Sequence, residues 1–119
     1  MKNNINLKLS IITPVLNGSK YIEECILSTV NQNENTEHVI VDGGSTDGTV
    51  EIIKKLKNKF PDKIQIILTE DTKKGSGPGE AWNIGLKRAT GDVFGWLGSD
   101  DYYPQKSISK VLNYFKKNP

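Results

Sequence analysis

The sequence predicts an α/β protein with a three-layer αβα, Rossmann-like architecture around a mostly parallel sheet. Short apolar runs of strand length alternate along the chain with longer segments of helical periodicity, a pattern typical of strands joined by right-handed helical crossovers. At 119 residues, with 35% hydrophobic and 25% charged residues, the chain has the size and composition of one globular domain. We therefore expect a single domain over residues 1–119.

Hydrophobic periodicity and chain-breaking residues define the elements in order. From the N-terminus onward the predicted elements are strand 8–13, helix 19–31, strand 38–41, helix 47–59, strand 64–68, helix 80–89, strand 92–97 and a last helix after Pro104. Pro14 is expected to break the chain after the first strand, Asp47 to cap the second helix, and Pro61 to help end it. A polar loop over 69–79, which contains three glycines, precedes the third helix.

Composition and charge exclude several classes of protein. The formal net charge is +2 and no basic run is interleaved with aromatics, so the chain has no platform for nucleic acid. No stretch approaches the roughly 20 apolar residues of a membrane span, and the N-terminus lacks the apolar core of a signal peptide. We expect a cytoplasmic location, or the cytoplasmic face of the membrane. Cys25 is expected in the core, and His38 receives no catalytic role.

Polar residues gather where three predicted strands end, and the tips of a doubly wound sheet open on one side. The first group is the segment 13–18, Thr-Pro-Val-Leu-Asn-Gly. An ordinary strand-to-helix turn, with Asn17 or Ser19 as the helix cap, also explains this group. By itself it does not distinguish a turn from a ligand site.

The second group, residues 42–48, combines an acid at a strand end with glycines. A turn followed by a helix cap explains Gly44, Ser45 and Asp47, because turns and caps favour those residue types. It does not explain Asp42. A carboxylate at a strand end beside a glycine-lined opening is suited to accept hydrogen bonds from a base N–H or from sugar hydroxyls.

The third group is the adjacent pair Asp100 and Asp101, which follows an apolar strand. Two unit charges about 4 Å apart repel by about 4 kcal/mol at an effective dielectric near 20, and a bound cation offsets that repulsion. Paired oxygen donors at a strand tip suggest a hard divalent cation that carries phosphate. The alternative is that Asp101 caps the last helix while Asp100 is solvated.

Two common phosphate-binding patterns are not met. In the segment 75–79, Pro78 removes an amide donor and no Lys-Ser/Thr pair follows, which disfavours a P-loop and favours a mobile loop. No G-x-G-x-x-G follows the first strand, which disfavours a site for a nicotinamide or flavin dinucleotide.

In order and spacing, the strand-end groups resemble the nucleotide-sugar-binding half of an inverting, GT-A-type family 2 glycosyltransferase. The matching stretches cover nearly the whole chain: residues 10–17 (SIITPVLN), 41–49 (VDGGSTDGT), 81–86 with 89–92 (AWNIGL and ATGD) and 97–101 (LGSDD). The resemblance implies a GT-A fold with strand order 3-2-1-4. It also implies metal-assisted transfer of a sugar from a nucleotide-diphosphate sugar, expected to be a UDP-sugar, to an acceptor hydroxyl with inversion.

The resemblance also assigns residues to the site. It implies that the nucleotide sugar is bound by Thr13, Pro14, Val15, Asn17, Asp42, Gly44, Trp82, Asn83 and Asp100. Asp42 would hydrogen-bond the pyrimidine. Asp100 and Asp101 match the family's D-x-D motif, which contacts the ribose and holds Mn²⁺ or Mg²⁺ on the diphosphate, where the cation assists the leaving group. The acceptor, whether saccharide, lipid or protein, stays open; the process implied is polysaccharide or cell-envelope biosynthesis.

Three departures from the family pattern affect these expectations. Gly98 stands at the first acidic position of the D-x-D motif. Trp82 stands where many relatives carry Arg, and it either packs the short helix or contacts the base. No acidic residue occurs over 102–119, so no general base is identified. We therefore expect the N-terminal part of a transferase, ending before the acceptor-binding segment, that binds donor nucleotide but transfers sugar poorly or not at all.

Two other classes of protein stay open. A sugar nucleotidyltransferase shares the architecture, but it is expected to carry a glycine-rich, basic loop after the first strand, which this chain lacks. A non-catalytic nucleotide-binding or interaction module is the other class. Its receiver-like form is expected to place acids after the first and third strands, whereas here the acids follow the second and fourth.

Overall fold

The computed structural model describes residues 6–68 and 77–118, and within them four strands alternate with four helices. The elements in chain order are β1 (Leu9–Val15), α1 (Ile22–Val30), β2 (Thr36–Asp42), α2 (Thr49–Lys59), β3 (Ile64–Leu68), α3 (Gly77–Arg88), β4 (Val93–Trp96) and α4 (Ser107–Lys117). The strands form one parallel sheet in the order β3-β2-β1-β4. The predicted α/β class and strand order are confirmed.

Pro14 does not end the first strand as predicted, because β1 continues through it to Val15. Successive residues of β1 bond to opposite neighbours: Ile12 O accepts from Leu97 N–H at 3.1 Å on the β4 side. Val15 O accepts from Gly43 N–H at 2.9 Å on the β2 side. Pro14 therefore faces the β4 side, where pairing with β4 has already stopped at Ile12. Its missing N–H removes no ladder bond, which is why a proline is tolerated here.

Other element boundaries differ from the prediction by one to three residues, and α2 begins at Thr49 rather than 47. The helix α1 begins at Ile22 rather than 19, and β2 begins two residues earlier than predicted. The helix α3 begins at Gly77, so residues 77–79 are helical rather than part of the predicted loop. The rest of that loop, 69–76, lies outside the described residues.

The sheet separates two layers of helices, as the three-layer prediction requires. On one face, α1, α2 and α4 form two buried clusters with the sheet. The first joins α1 and α2 to the strands and consists of Val15, Ile22, Ile26, Val30, Ile40, Ile53, Leu56 and Ile64. The second joins α1 and α4 to the strands and consists of Leu9, Ile11, Cys25, Leu97, Ile108 and Leu112. On the other face, α3 covers Ile12, Val39, Val41 and Ile67. Full burial of one such side chain stabilises the fold by about 1.5–3 kcal/mol, so these clusters hold the layers together.

The helix α3 comes very close to β1 at Gly85. A Cβ placed on Gly85 would lie 2.5 Å from Ile12 Cγ2, well inside van der Waals contact. The helix is therefore in contact with the sheet through its backbone at this point, and glycine is required for that approach.

A buried network around Glu37 fastens the turn between α3 and β4 to the sheet. Glu37 accepts hydrogen bonds from Ser10 Oγ at 2.6 Å and Gln65 Nε2 at 2.9 Å, which lie on the two neighbouring strands. It also accepts from the backbone N–H and the hydroxyl of Thr90. Burial would raise the pKa of Glu37, but these hydrogen bonds outweigh burial and lower it.

A second network surrounds His38, which lies inside β2 rather than at its start and is 1% exposed. Its Nε2 lies 2.6 Å from Thr13 Oγ1 and its Nδ1 lies 2.9 Å from Thr29 Oγ1. Thr29 donates its own hydroxyl to Ile26 O at 2.9 Å, so Nδ1 carries the ring proton and Nε2 accepts from Thr13. Burial lowers the pKa of His38 to about 3, and the ring is therefore neutral at pH 7.

The surface beside β4 carries two half-exposed aromatic residues on the α3 side of the sheet. Phe94 is 46% exposed and Trp96 is 44% exposed. Across residues 6–68 and 77–118, every helix is too short or too polar to span a lipid bilayer.

Candidate functional site

The loops that follow β1 and β2 are joined to each other by hydrogen bonds at the carboxyl end of the sheet. We call residues 15–19 and 42–49 the loop clasp. The backbone N–H of Asn17 donates to Ser45 Oγ at 2.8 Å, and Asn17 Oδ1 accepts from Thr46 N–H at 2.8 Å. Two sequence-distant groups predicted at separate strand tips are therefore parts of one structure.

Thr49 and Asp47 complete the loop clasp from the second loop. Gly18 N–H donates to Thr49 Oγ1 at 2.9 Å, and Ser19 N–H donates to Asp47 Oδ2 at 3.1 Å. Asp47 Oδ1 accepts from the backbone N–H of Thr49 at 3.1 Å and from its hydroxyl. The hydrogen bond from the Thr49 hydroxyl, with further bonds from Ser19, lowers the pKa of Asp47 to about 2. The N-cap residue of α2 is Gly48 rather than Asp47, which lies one residue earlier.

Neither Asn17 nor Ser19 caps α1, so the capping explanation considered for the first group is wrong. The N-cap residue is Tyr21, which makes no side-chain cap hydrogen bond. Asn17 instead adopts a φ of 55°, in the left-handed region that Asn tolerates better than most residues. Its side-chain oxygen is bonded to the second loop and so does not reach the α1 amides.

Asp42 ends β2 and is only 2% exposed. Its Oδ2 accepts from the N–H groups of Gly44 and Ser45 at 2.9 Å each, and its Oδ1 accepts from Ser45 Oγ at 2.5 Å. The sequence pattern predicted that a turn would not explain Asp42. In the structure Asp42 is part of the turn, because its carboxylate accepts the hydrogen bonds that hold it. Gly44 has a φ of 104°, which requires glycine, and Asp42 fixes the Ser45 hydroxyl that receives Asn17.

Only some side chains of the first predicted group, residues 13–18, are exposed at the carboxyl end of the sheet. The side chains of Thr13 and Val15 are buried on the face covered by α1, and Thr13 is bonded to His38. Pro14 is half-buried on the opposite face, and Asn17 is exposed beyond the strand. The structure therefore brings the segment to the tip, but the side chains of Thr13 and Val15 are not available to a ligand there.

The acid tip, residues 98–101, follows β4. Asp101 N–H donates to Gly98 O at 3.0 Å, which closes a turn, and Cys25 Sγ of α1 donates to the same carbonyl at 3.5 Å. Burial, with smaller contributions from the charges of Asp101 and Asp100, raises the pKa of Cys25 to about 12 against a hydrogen bond with Thr13. Its thiol is fully buried and stays protonated, as expected of a core residue.

The acid tip lies beside the first loop of the loop clasp. A Cβ placed on Gly18 would lie 3.6 Å from Ser99 Oγ, so the two loops are in contact range. The N-cap residue of α4 is Lys106, which lies five residues beyond Asp101 and has a φ of 67°. Asp101 therefore does not cap the last helix, and all three predicted groups meet at one end of the sheet.

Both carboxylates of the acid tip lie over Gly98, and both side chains are exposed. A Cβ placed on Gly98 would lie 2.9 Å from Asp101 Oδ2 and 3.3 Å from Asp100 Oδ1, so one carboxylate oxygen of each residue lies near Gly98. Two neighbouring hard oxygen donors fit Mg²⁺ or Mn²⁺. Among the described residues no group of three or more His, Cys, Asp or Glu is placed to hold a metal. Further ligands would have to come from phosphate oxygens or water.

Trp82 packs against the sheet, which is the first of the two roles considered for it. It lies against the core cluster under α3, and its ring centroid is 5.3 Å from that of Trp96 at an interplanar angle of 52°. Asn83 is exposed on α3 and takes no part in the hydrogen bonds of the loop clasp or the acid tip. The structure therefore brings Trp82 and Asn83 to the far side of the sheet from α1.

Sequence reasoning missed the residues that join the two loops. Ser45 and Thr49 were considered only as turn and motif residues, yet their hydroxyls accept the N–H groups of Asn17 and Gly18. The available signal was the hydroxyl residues that flank Asp47 in the S-T-D-G-T stretch.

The fold is that of the GT-A nucleotide-diphospho-sugar transferases. A mannosyltransferase from Pyrobaculum calidifontis, solved with GDP-Man and Mn²⁺, shares this fold with a TM-score of 0.79 at 23% identity, over 94% of this chain and 33% of its own. The chain belongs to glycosyl transferase family 2, whose family model matches residues 10–119.

Two relatives show the extent of the match. An uncharacterized glycosyltransferase of Haemophilus influenzae is 40% identical over 92% of this chain and 43% of its own length. Staphylococcus aureus TarS, a poly(ribitol-phosphate) beta-N-acetylglucosaminyltransferase, is 36% identical over 94% of this chain and 19% of its own length. The crystal structure of TarS 1–349 with UDP-GlcNAc has a TM-score of 0.81 at 33% identity, over 93% of this chain and 32% of that one. The chain thus spans less than half the length of these relatives.

Proposed function

We propose that this chain is the donor-binding part of a glycosyltransferase that uses a UDP-sugar with Mn²⁺ or Mg²⁺ and inverts configuration at the transferred carbon. The observation that carries the proposal is the meeting of the loop clasp and the acid tip at one end of the sheet. Hydrogen-bonding groups suited to a nucleoside then stand beside hard oxygen donors suited to a cation on a diphosphate. The TarS complex with UDP-GlcNAc supports the choice of a UDP-sugar.

The nucleoside is assigned to the loop clasp. A carboxylate has about four acceptor positions, and the Ser45 hydroxyl can rotate, so a base N–H can bond to Asp42 Oδ1 in exchange for that hydroxyl. Since Asp42 is 2% exposed, the exchange requires residues 43–45 to move outward slightly. Asn17 stays bonded to Thr46 and keeps the first loop in place during that movement.

The cation is assigned to Asp101 and Asp100. When bound, it would supply Lewis-acid stabilisation of the charge on the departing nucleoside diphosphate. The protein's own contribution is to bring two carboxylates together over Gly98 and to leave them exposed to a ligand. Their mutual repulsion weakens once a cation or a ligand-bound cation is shared between them.

In the proposed reaction, the acceptor oxygen bonds to the anomeric carbon while the bond from that carbon to the diphosphate breaks. The acceptor proton passes to a general base, and we assign that role to none of residues 6–68 and 77–118. The proposal for residues 1–119 is therefore donor binding by a single domain.

A cytoplasmic location and a role in polysaccharide or cell-envelope synthesis belong to the same proposal. A Bacillus subtilis relative named as a minor teichoic acid biosynthesis protein supports the role in cell-envelope synthesis.

Calorimetric titration of the chain with UDP, GDP and UTP, each with and without Mn²⁺, tests the proposal. We expect UDP to bind, and Mn²⁺ to tighten its Kd at least about tenfold, since two charge-assisted metal contacts are gained. Asp101→Asn should abolish the Mn²⁺ gain and leave metal-free UDP affinity within about twofold.

The other outcomes separate the alternatives. Failure to bind any nucleotide under either condition would overturn the donor-binding proposal. A clear preference for UTP over UDP would instead favour a sugar nucleotidyltransferase. A UDP affinity that changes neither on addition of Mn²⁺ nor in the Asp101→Asn variant would favour a non-catalytic nucleotide-binding module.

A further inference from the structure

The last helix, α4, lies in the most basic part of the chain. Of the 16 lysine and arginine residues, four lie over 102–119, where none of the 14 acidic residues occurs. The last 18 residues therefore carry a net charge of +4, whereas the first 101 carry −2. The loop clasp and the acid tip are built from other residues, so donor binding does not account for this charge.

The helix α4 packs on the sheet through one stripe, in which Ile108 and Leu112 are buried. Beside that stripe three large side chains stay in contact with water: Val111 is 37% exposed, Tyr114 is 60% exposed and Phe115 is 39% exposed. Val111 precedes the other two by three and four residues, so the three side chains form one continuous strip along the helix.

A row of lysines borders this strip. Lys110, Tyr114 and Lys117 follow one another at spacings of four and three residues, which puts them on one side of α4, and both lysines are exposed. Tyr114 therefore stands between the apolar strip and the lysine row. We call Lys110, Val111, Tyr114, Phe115 and Lys117 the α4 face.

The other two lysines of this segment belong to different surfaces. Lys106 borders a groove that also contains Glu23 and Glu24 of α1, so acids stand near its charge. Lys116 lies on the side of α4 opposite Tyr114, since successive helical residues are rotated by about 100°. The α4 face therefore has two lysines of its own.

We propose that the α4 face binds an anionic lipid surface. Helices that lie on a bilayer place aromatic side chains at the boundary between headgroups and acyl chains and place lysines beside them, near the lipid phosphates. The α4 face has both components, with Tyr114 and Phe115 next to Lys110 and Lys117. The inference does not rest on the proposed donor site, because it uses different residues and a different ligand.

Two other partners fit the α4 face less well. The rings of Tyr114 and Phe115 contact each other edge to face, with centroids 5.3 Å apart and an interplanar angle of 90°. Nucleic-acid bases stack on the open faces of aromatic rings, and this mutual packing does not offer two such faces side by side. A second copy of the chain, related by a two-fold axis, would bring lysines of like charge together.

Co-sedimentation of the whole chain with lipid vesicles tests the inference. Vesicles of phosphatidylcholine with about 30% phosphatidylglycerol are compared with vesicles of phosphatidylcholine alone. The variant Lys110→Gln/Lys117→Gln removes the lysine row, and the matched control Lys54→Gln/Lys55→Gln removes the same charge from exposed positions on α2. All four side chains are exposed, so thermal midpoints should stay within about 3 °C of wild type.

Wild type should bind the anionic vesicles at least about tenfold more tightly than the neutral ones, and salt should weaken that binding. Lys110→Gln/Lys117→Gln should bind anionic vesicles about 25-fold more weakly, because each lysine near such a surface contributes about fivefold. The matched control should lose less than about threefold. Equal losses in the two double variants, equal binding to both kinds of vesicle, or no binding to either would overturn the inference.

Tyr114→Ser separates a lipid surface from other polyanions. It should weaken vesicle binding about fivefold, because the ring no longer enters the headgroup region. A Tyr114→Ser variant that binds like wild type would overturn the inference in favour of a general attraction to polyanions, nucleic acid included. The lysine variants and Tyr114→Ser should all keep the wild-type affinity for UDP, so the UDP titration tests donor binding separately.

Discussion

The loop clasp and the acid tip stand at the same end of the sheet but are held in opposite ways. Among residues 6–68 and 77–118, five hydrogen bonds connect the two loops of the clasp, and the buried Asp42 carboxylate accepts from the N–H groups of Gly44 and Ser45 and from the Ser45 hydroxyl. In the acid tip, a single backbone hydrogen bond between Asp101 and Gly98 closes the turn, and both carboxylates are exposed.

The difference shows which interactions fix the side-chain positions in each region. A polar group whose hydrogen bonds are already made inside the protein resists movement, because moving it leaves its partners unsatisfied. An exposed group with few hydrogen bonds inside the protein moves at little cost. Changes in the clasp should therefore lower stability as well as nucleoside binding, whereas changes in the tip should affect mainly cation binding.

The largest stability loss is expected from Asp42→Ala in the clasp. The substitution leaves the N–H groups of Gly44 and Ser45 and the Ser45 hydroxyl without their acceptor, so the free energy of unfolding should fall by about 2–4 kcal/mol. Urea denaturation followed by circular dichroism measures it. Asp42→Asn keeps one carbonyl acceptor and should lose about half as much; a loss below about 0.5 kcal/mol for Asp42→Ala would show that the carboxylate does not hold the turn.

The next largest effect on stability is a pH dependence that comes from His38, which is buried between β1 and α1. Burial lowers the pKa of His38 from 6.5, its value in the unfolded chain, to about 3 in the folded chain. Between those values the unfolded state binds more protons, so stability falls as the pH falls. From pH 7 to pH 5 the loss should be about 2 kcal/mol.

Urea denaturation at pH 7, 6 and 5 measures this loss above the range where most carboxylates titrate. The matched variant His38→Gln keeps a donor and an acceptor for Thr13 and Thr29 but cannot titrate. Its stability should be nearly flat over the same range. Equal pH slopes in the two proteins would contradict a buried, neutral His38.

The smallest stability effect is expected from Asp100→Asn in the acid tip. The exposed side chain has Asp101 as its charged neighbour, so removing one negative charge should change the free energy of unfolding by less than about 0.5 kcal/mol, in the stabilising direction if at all. The same variant should lose most of the Mn²⁺ effect on UDP binding. A destabilisation above about 1 kcal/mol would show that the tip, like the clasp, is a structural element.

Periodicity was enough to predict the alternation of elements, because the apolar spacing of helices and strands is local to each segment. It did not predict that Pro14 lies within β1. Whether a proline is tolerated in a strand depends on how far the neighbouring strand extends, and that is a property of the assembled sheet.

The site was predictable to the level of which segments meet, since parallel strands bring their tips to one edge. The orientation of each side chain was not. Thr13 lies on the α1 face of β1 with Ile11 and Val15, because side chains alternate across a strand, and it bonds His38 there. Asp42 accepts three hydrogen bonds from its own loop. The partner of Thr13 is 25 residues away and the partners of Asp42 are two and three residues away, and motif spacing alone does not show that either bond forms.

The bonds that cross the loop clasp also govern how this end of the molecule opens. The amide hydrogen of Asn17 is held by a side chain 28 residues away, and that of Thr46 by a side chain 29 residues away in the reverse direction. Each bond therefore ties the exposure of one loop's amide to a side chain of the other loop. We expect hydrogen exchange at both positions to be slowed by the same contacts, with the two loops opening largely together.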